Sequence, residues 1–251
     1  MIYITGDCHS KFHKFSMKIF PEQKEMTKED FVIVAGDFGG VWKYKGEDSE
    51  ERNWLNWLEN KSFTTLFVDG NHEDHARLQQ FPVKEFHGGK VHEIRPSVLH
   101  LMRGEVFELQ GQKFFAFGGA RSHDMKDGLF EPGDRRIKLW QYDYTKEFRV
   151  NRQNWWAEEM PSEAEMQYGL ENLKKHGNKV DIILSHCVSS SVQKKINESF
   201  KVDELTEYFE QLEQIVDYKY WICGHYHIDK KVDEKHFVLY DQIVPFRVKV
   251  K

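Results

Sequence analysis

Five short apolar segments in this chain of 251 residues each run directly into a turn that contains Asp, Asn or His, usually with a glycine beside it. The segments comprise residues 2–5, 31–35, 64–68, 180–184 and 218–223. Short apolar runs bounded by turn residues are typical of strands that are buried on both faces. The pattern therefore predicts five buried strands, each of which ends at a polar turn.

Helical patterns alternate with these strands. Residues 50–59, 162–176 and 203–216 have apolar side chains at helical spacing, and Ser162 and Glu165 have the spacing of a capping box. Further short strands are predicted at 91–94, 98–101, 106–109 and 113–117, with a hairpin turn at 110–112, and at the closing pair 237–240 and 243–248. Strands that alternate with helices, together with hairpins, predict an α/β fold with mixed sheets.

Residues 121–160 fit neither pattern, and the segment is longer than an ordinary connection between two elements. We expect this segment to be an insertion over the active-site end of the sheets. The rest of the chain contains no linker or repeat, so residues 1–251 are predicted to form a single domain with this insertion.

Composition narrows the class of protein. The 36 Lys and Arg residues against 41 Asp and Glu residues leave a formal net charge of −5, which gives little support to a surface built throughout for nucleic acid. No apolar run approaches the roughly 18 to 20 residues that span a bilayer. Three cysteines are too few and too scattered for a disulfide framework. We therefore expect a cytoplasmic protein without a membrane partner.

The turns after the strands contain oxygen and nitrogen ligands for metals. Two carboxylates, one amide and four imidazoles are found there, namely Asp7, Asp37, Asn71, His9, His186, His225 and His227. Open α/β sheets bind ligands beyond the carboxyl ends of their strands, so these side chains are expected to share one site. A mixed set of this kind suits Mn, Fe, Zn or Ni. Seven candidates are too many for one metal and indicate two metals that share a ligand.

These residues resemble a known family. The order Asp-x-His, Gly-Asp, Gly-Asn-His-Glu, His and Gly-His-x-His is similar to that of the calcineurin-like metallophosphoesterases, over Asp7 to His227. The resemblance implies a four-layer α/β/β/α sandwich of two mixed sheets flanked by helices. It also implies the metal ligands: Asp7, His9 and His227 for the first metal, Asn71, His186 and His225 for the second, and Asp37 bridging both. Mn is the metal that we expect to serve in vitro.

The implied activity is hydrolysis of a phosphomonoester or phosphodiester, with a small-molecule phosphoester or a nucleotide as substrate. Two cations about 3.5–4 Å apart would hold a hydroxide that attacks phosphorus in line. Asp37 suits the bridging position because a carboxylate has two oxygens. His72 corresponds to the family's histidine that stabilises charge or protonates the leaving oxygen. The oligomeric state is not predicted by any of these features.

The chain departs from the protein phosphatases of this family just after Asp37. Those enzymes continue this motif with an Asp-Arg pair that orients the histidine and binds phosphate, whereas Phe38, Gly39 and Gly40 follow here. A small-molecule or diester substrate is therefore favoured, with its phosphate bound from elsewhere in the chain. Candidates for that role are Arg121, which lies beyond the strand at 113–117, and Arg135 and Arg136.

Residues 135–152 contain six basic side chains interleaved with aromatic ones. Such a segment could stack bases and bind phosphates, which would make the protein a nucleotide or nucleic-acid phosphodiesterase or a nuclease. We favour the alternative, in which the aromatic side chains pack the insertion onto the sandwich while the charges stay solvated. A third alternative is a non-catalytic metal-binding scaffold of the same fold, against which the presence of His72 argues.

Overall fold

The computed structural model describes residues 1–246, which contain two large sheets, one small sheet and six α-helices. The strands are β1 (Ile2–Thr5), β2 (Phe31–Ala35), β3 (Thr64–Val68), β4 (Val83–Phe86), β5 (Gly89–Arg95), β6 (Val98–Leu101), β7 (Glu105–Leu109), β8 (Gln112–Phe117), β9 (Gly128–Phe130), β10 (Phe148–Val150), β11 (Ile182–Ser185), β12 (Tyr220–Cys223), β13 (Lys230–Lys231), β14 (His236–Val238) and β15 (Val244–Phe246). The helices are α1 (Ser49–Glu59), α2 (His75–Leu78), α3 (Arg135–Trp140), α4 (Glu163–Lys175), α5 (Ser190–Ile196) and α6 (Glu204–Ile215). In this part of the chain, no helix has both the length and the apolar character to cross a membrane.

Both large sheets contain a block of parallel strands. The first sheet has the order β15-β1-β2-β3-β6-β5-β4, in which β1, β2, β3 and β6 are parallel neighbours. The second has the order β13-β14-β12-β11-β8-β7, in which β8, β11, β12 and β14 are parallel. Antiparallel strands lie at the edges of both sheets. The carboxyl ends of each parallel block therefore lie together at one edge of its sheet.

Neighbouring residues of one strand face different layers. Ile4 of β1 lies in the core between the two sheets together with Leu184 of β11. Tyr3 faces the opposite way and packs in an outer core with side chains of α1. On the other side of the molecule, Ile183 of β11 packs in a second outer core with Phe209 of α6. The layers are helix, sheet, sheet and helix, which confirms the predicted α/β/β/α sandwich.

Most predicted elements are confirmed. The predicted bounds of β1, β2, β3 and β6 coincide with the observed ones, and those of α1, α4 and α6 agree to within one residue at each end. Ser162 and Glu165 form the predicted capping box at the start of α4. β11 begins at Ile182 rather than at residue 180, because the N–H of Val180 bonds to the carbonyl of Asp217 before the ladder with β12 begins.

One prediction is wrong: the two closing strands do not pair with each other. β14 joins β12 in the second sheet, whereas β15 joins β1 in the first sheet. The Asp229 carboxylate accepts hydrogen bonds from the N–H groups of Tyr240 (2.8 Å) and Asp241 (3.2 Å), so the chain turns there from one sheet to the other. The end of the predicted strand 243–248, beyond Phe246, lies outside the described residues.

Residues 121–160 contain their own small sheet, in which β9 and β10 pair in parallel. Trp140 of α3 packs against Phe130 of β9 and Phe148 of β10, with ring centroids 5.5 and 6.0 Å apart. Trp156 is fully buried and packs against Trp42, 5.3 Å away, in the loop after β2. Some aromatic side chains of residues 121–160 therefore pack within the segment itself. Near the end of the segment, Trp156 anchors it against the loop after β2.

Candidate metal centre

Five loops at the carboxyl ends of parallel strands contribute the candidate ligands. The loops after β1, β2 and β3 come from the first sheet, and those after β11 and β12 come from the second. They carry Asp7 and His9, Asp37, Asn71 and His72, His186, and His225 and His227, in that order. Both parallel blocks thus present their loops to the same place, between the edges of the two sheets.

Four of these side chains form a tight cluster. Ligand atoms of Asp7, His9, Asp37 and His227 all lie within 4.8 Å of one another. Nε2 of His227 is 3.0 Å from Oδ2 of Asp7, and Nε2 of His9 is 3.6 Å from one oxygen of each aspartate. The two aspartates are buried, whereas His227 is half-exposed, so the cluster opens to solvent on one side.

His186 faces the same cluster from the second sheet. Its Nε2 is 3.2 Å from Oδ1 of Asp37, while its Nδ1 donates a hydrogen bond to the carbonyl of Ala35 at 2.8 Å. A backbone carbonyl bound to one ring nitrogen leaves the other nitrogen to bind a metal. Burial opposes a charge on this ring, but Asp37 and Asp7 raise the pKa of His186 to about 10. The negative charges of Asp37 and Asp7 therefore favour a positive charge at this position, such as that of a bound cation.

His225 lies against His186, with ring centroids 4.9 Å apart, and its backbone N–H donates to Oδ1 of Asp7 at 3.0 Å. Burial lowers the pKa of His225 to about 3, so its imidazole is neutral at pH 7 and has a lone pair for a metal. The Asp7 side chain is thus held from behind by one loop of the second sheet while it faces His9 and His227.

Asn71 is oriented by residues of the 121–160 segment. Its Nδ2 donates to Oγ of Ser122 at 3.4 Å, and that hydroxyl donates to Oε2 of Glu159 at 2.6 Å. The backbone N–H of Ser122 also donates to Glu159, at 2.7 Å. Because the amide nitrogen is engaged on this side, Oδ1 of Asn71 remains the atom available to a cation.

Three buried atoms of the site test whether these residues fit a metal. Oδ1 of Asn71 has no hydrogen-bond partner among residues 1–246, and Oδ2 of Asp7 and Nε2 of His186 form no well-aligned hydrogen bond there. The nearest groups to the last two are other candidate ligands, Nε2 of His227 at 3.0 Å and Oδ1 of Asp37 at 3.2 Å. A buried acceptor without a partner costs about 1–3 kcal/mol, and a charged one costs more. All three belong to the predicted ligand set, and oxygen and imidazole donors suit divalent metals such as Mn, Fe, Zn and Ni. The residues present therefore fit a metal site.

The backbone at the site adopts uncommon conformations. Gly36 has φ +87°, and a Cβ at this position would collide with the ring of His186. Asp37 (φ 46°) and His225 (φ 69°) also lie in the left-handed region, although neither is a glycine. Non-glycine residues with such angles are held there by the surrounding structure and cluster at functional sites. We infer that these turns adopt unfavourable backbone angles because those angles direct the side chains of Asp37 and His225 into the site.

His72 lies next to the cluster. Its backbone N–H donates to Oδ1 of Asp37 at 2.8 Å, and its ring stacks on Trp42 with centroids 5.1 Å apart. The ring of His9 meets it edge-on at 4.6 Å, and Nη2 of Arg149 lies 3.3 Å from its Nε2. Burial lowers the pKa of His72 to about 4, so the imidazole is neutral at pH 7.

The three arginines proposed as phosphate ligands lie elsewhere. Arg121 forms ion pairs with Glu204 and with Asp203, 3.7 Å away, at the start of α6. Arg136 bonds to Asp134 and lies 4.0 Å above the ring of Phe130, and Arg135 is exposed on α3. Within the described residues, none of the three hydrogen-bonds or ion-pairs with a candidate metal ligand.

Sequence reasoning missed Arg149, Ser122 and Glu159 as individual site residues. Arg149 was one of six basic residues in a segment, and nothing in that pattern distinguishes it from the other five. Ser122 stands just beyond β8, so the rule that strand ends supply functional residues could have found it. Glu159 has no motif around it, and only the fold brings it behind Asn71.

Part of the chain is similar to curated lariat debranching enzymes. It is 30% identical over 144 residues to lariat debranching enzyme A of Xenopus laevis, a match that covers 52% of this chain and 26% of that protein. It is 28% identical over 160 residues to the enzyme of Schizosaccharomyces pombe, covering 59% and 32%, and 26% identical over 144 residues to that of Homo sapiens, covering 52% and 25%. The matches thus span between a quarter and a third of these relatives.

A family model covers the whole candidate site. The family model for calcineurin-like phosphoesterases matches residues 1–229. This range includes all five strand-end loops, from Asp7 to His227, and both parallel blocks that position them. The chain therefore belongs to the calcineurin-like phosphoesterases, the family that the order of its Asp, Asn and His residues predicts.

Proposed function

We propose that this protein hydrolyses a phosphomonoester or a phosphodiester with two bound divalent cations. The observation that supports this most strongly is the tight cluster of Asp7, His9, Asp37 and His227, against which His186 and His225 pack. Oδ1 of Asn71, another predicted ligand, is buried without a hydrogen-bond partner among residues 1–246. In this proposal Asp7, His9 and His227 would hold one cation, Asn71, His186 and His225 would hold the other, and Asp37 would be shared by both. When bound, the cations would polarise the phosphoryl group and supply a nucleophile at neutral pH.

The chain's own contribution is to orient ligands and to provide a hydrogen-bond donor. Ala35 fixes the ring of His186, and Ser122 fixes the amide of Asn71. His72 would assist departure of the leaving oxygen. Since an arginine can only donate, Arg149 beside Nε2 of His72 places the imidazole proton on Nδ1, from which the neutral ring would donate a hydrogen bond to the negative charge that develops on the leaving oxygen.

The identity of the metals and the location of the protein belong to the same proposal. Mn is our choice for activity in vitro, because the donor set combines carboxylate, amide and imidazole groups that Mn accepts together with Fe, Zn and Ni. Activity measured after reconstitution with each metal in turn would test that choice. The cytoplasmic location predicted from the sequence would be tested by fractionation of cells that express the chain.

The main experiment compares hydrolysis of a chromogenic phosphomonoester and phosphodiester by the Mn-loaded protein and two variants. Asp37→Asn is expected to abolish turnover, because the bridging carboxylate loses its charge. His72→Ala is expected to lower kcat about 10²–10³-fold, the usual cost of losing one hydrogen-bond donor to the charge of a transition state. Lys126→Ala, which removes an exposed ion pair with Glu147 (2.9 Å), is the control and should match the wild type.

The outcomes separate catalysis from binding. Loss of turnover in Asp37→Asn with an active wild type supports the two-cation proposal, and the better ester narrows the substrate class. A wild type that holds two metals and hydrolyses neither ester contradicts the proposal for these substrates. That result would favour the non-catalytic metal-binding scaffold or an enzyme selective for another ester.

A second candidate function is a nucleotide or nucleic-acid phosphodiesterase. Two observations favour it: the names of the curated relatives denote debranching of lariats, and Tyr142 and Tyr144 of the 121–160 segment are 78% and 97% exposed. Exposed aromatic rings beside Arg135 and Lys138 could stack bases and contact phosphates. Trp140, in contrast, packs inward against β9 and β10, as the alternative that we favour from the sequence requires.

This second function is tested with a linear and a branched oligonucleotide beside the chromogenic diester. Replacing Arg135 and Lys138 by Glu, and both tyrosines by Ala, should raise KM for the oligonucleotides and reduce the salt dependence of binding by about one unit of slope for each lost phosphate contact. The chromogenic diester lacks the bases and the further phosphates that these residues would bind, and its turnover should be unaffected. Equal effects on all substrates would refute a nucleic-acid role for this surface.

A further inference from the structure

Arg149 of β10 is a buried cation in a segment whose other basic side chains are partly or fully exposed. Only 8% of the residue is exposed. Burial of a charged group is costly unless it is paired and hydrogen-bonded. The structure pairs it with Asp124, whose side chain is 50% exposed, so the partner reaches out to solvent while the guanidinium does not.

The hydrogen bonds of Arg149 can be counted. Nε donates to Oδ1 of Asp124 at 3.0 Å, and Nη2 donates to the other oxygen of the same carboxylate. Nη1 donates to the carbonyl of Asn154 at 3.4 Å, and Nη2 also approaches Nε2 of His72, 3.3 Å away. A guanidinium has five N–H donors. Four are therefore engaged among the described residues, and one donor on Nη1 remains for a ligand.

The other basic residues of residues 135–152 do not share this position. Arg136, Lys146 and Arg152 pair with Asp134, Asp127 and Glu158 at 2.7, 3.0 and 2.9 Å respectively, and Arg135 and Lys138 are exposed on α3. Among these six cations, Arg149 is thus the one that contacts His72. The ring of His72 packs against His9, so the His72 ring lies between the guanidinium and the candidate ligand His9.

We propose that Arg149 binds a non-bridging oxygen of the substrate's phosphoryl group and holds His72 against it. This inference rests on the phosphoesterase function proposed above, and it assigns to the 121–160 segment the phosphate-binding arginine that the loop after β2 lacks. Asp124 fixes the plane of the guanidinium through two parallel bonds, so that the free donor has a set direction. An anionic phosphoryl oxygen is the ligand class that a guanidinium and two nearby cations would share.

Arg149 has more hydrogen-bond contacts than a purely structural role would require. Asp124 and Asn154 alone would satisfy a packing arginine, and neither contact explains why Nη2 is directed at the imidazole of His72. Arg121 is a useful contrast, because both of its acidic partners lie at α6 and it stays 51% exposed. Arg149 is buried on the side of the segment that faces the candidate metal centre.

The test measures equilibrium binding of inorganic phosphate to the Mn-loaded protein by calorimetry, beside kcat and KM for the chromogenic diester. The variants are Arg149→Ala and Arg149→Lys, with Lys126→Ala as the control from the same segment. We expect Arg149→Ala to weaken phosphate binding at least about 10-fold and to lower kcat/KM about 10²–10³-fold, as loss of one charged donor at a transition state does. Arg149→Lys should recover part of the binding, and added guanidinium ion should recover part of the turnover of Arg149→Ala. Metal content should equal that of the wild type.

Phosphate binding does not depend on turnover, so the two proposals fail separately. An inactive wild type whose phosphate affinity still drops in Arg149→Ala refutes the catalytic proposal for that ester and supports this one. Unchanged phosphate affinity in a folded Arg149→Ala protein overturns the assignment. A loss of activity that neither Arg149→Lys nor guanidinium restores would also overturn it, because a lost fold contact would behave in that way.

Discussion

The buried ion pair behind the Asn71 loop provides the sharpest prediction of stability. Arg103 donates to Oδ2 of Asp69 through Nε at 3.0 Å, and its Nη2 also donates to the carbonyl of Glu158 at 2.8 Å. The side chains are 7% and 2% exposed respectively. Burial would raise the pKa of Asp69, but Arg103 and His100 hold it far below its usual range. The Asp69 carboxylate is therefore charged inside the protein and depends on these two partners.

Arg103→Met removes the charge and keeps much of the side-chain volume. Breaking a buried pair by removal of one partner costs about 3–5 kcal/mol. We expect the lower end, about 3 kcal/mol, because Nε2 of His100 remains 3.1 Å from the carboxylate. For a chain of this size, each kcal/mol shifts the Tm by roughly 2–4 °C, so the Tm should fall by about 6–12 °C.

The assay is thermal and urea unfolding of the metal-free protein, followed by circular dichroism. The matched control is Arg52→Met, which removes an exposed arginine paired with Glu47 at 3.0 Å and should change the free energy of unfolding by less than about 0.5 kcal/mol. The double variant Asp69→Asn with Arg103→Met should lose less than the sum of the two single changes, since no buried charge is left without a partner. A loss below about 1 kcal/mol in Arg103→Met, or strict additivity in the double variant, would refute this reasoning.

Three further predictions concern the metal centre and its surroundings. Ser122→Ala frees the amide of Asn71 and should weaken Mn binding about 10–100-fold in calorimetric titrations, whereas equal affinity would show that the Ser122 contact does not orient the ligand. Saturating Mn at 100 times its Kd should raise the free energy of unfolding by about 2.7 kcal/mol in wild type and by clearly less in Asp37→Asn. Burial lowers the pKa of His75 from 6.5 to about 3, so the unfolded chain binds a proton first as the pH falls. The free energy of unfolding should therefore decrease from pH 6.5 towards pH 3, and His75→Gln should flatten this decrease; an unchanged slope would contradict it.

The parallel strands, and the place where the loops after them meet, could be predicted because both follow from the burial of these strands on two faces. A strand buried on two faces must be apolar throughout, so its ends are visible in the sequence, as at Phe31–Ala35 and Thr64–Val68. Parallel strands then place their carboxyl ends together, and Asp37 and Asn71 follow from that geometry. Helix α4 was equally visible, because Ser162 and Glu165 satisfy its first N–H groups through local bonds.

Contacts that depend on the path of the chain between elements could not be predicted. β14 and β15 are neighbours in sequence, yet they complete different sheets, because the free edges that they join are set by the rest of the fold. The direction of Arg149 likewise depends on how β9 pairs with β10. In the sequence it is one basic residue among several, and only burial beside Asp124 and His72 distinguishes it.

The candidate ligands are drawn from both sheets and from positions as far apart as Asp7 and His227. A cation bound among them would act as a cross-link between the two halves of the sandwich and would close a loop that includes most of the chain. Metal affinity would then report on the docking of the sheets as well as on the ligands themselves. Substitutions in the core between the sheets, far from any ligand, should loosen the metal, and a bound metal should slow the separation of the halves.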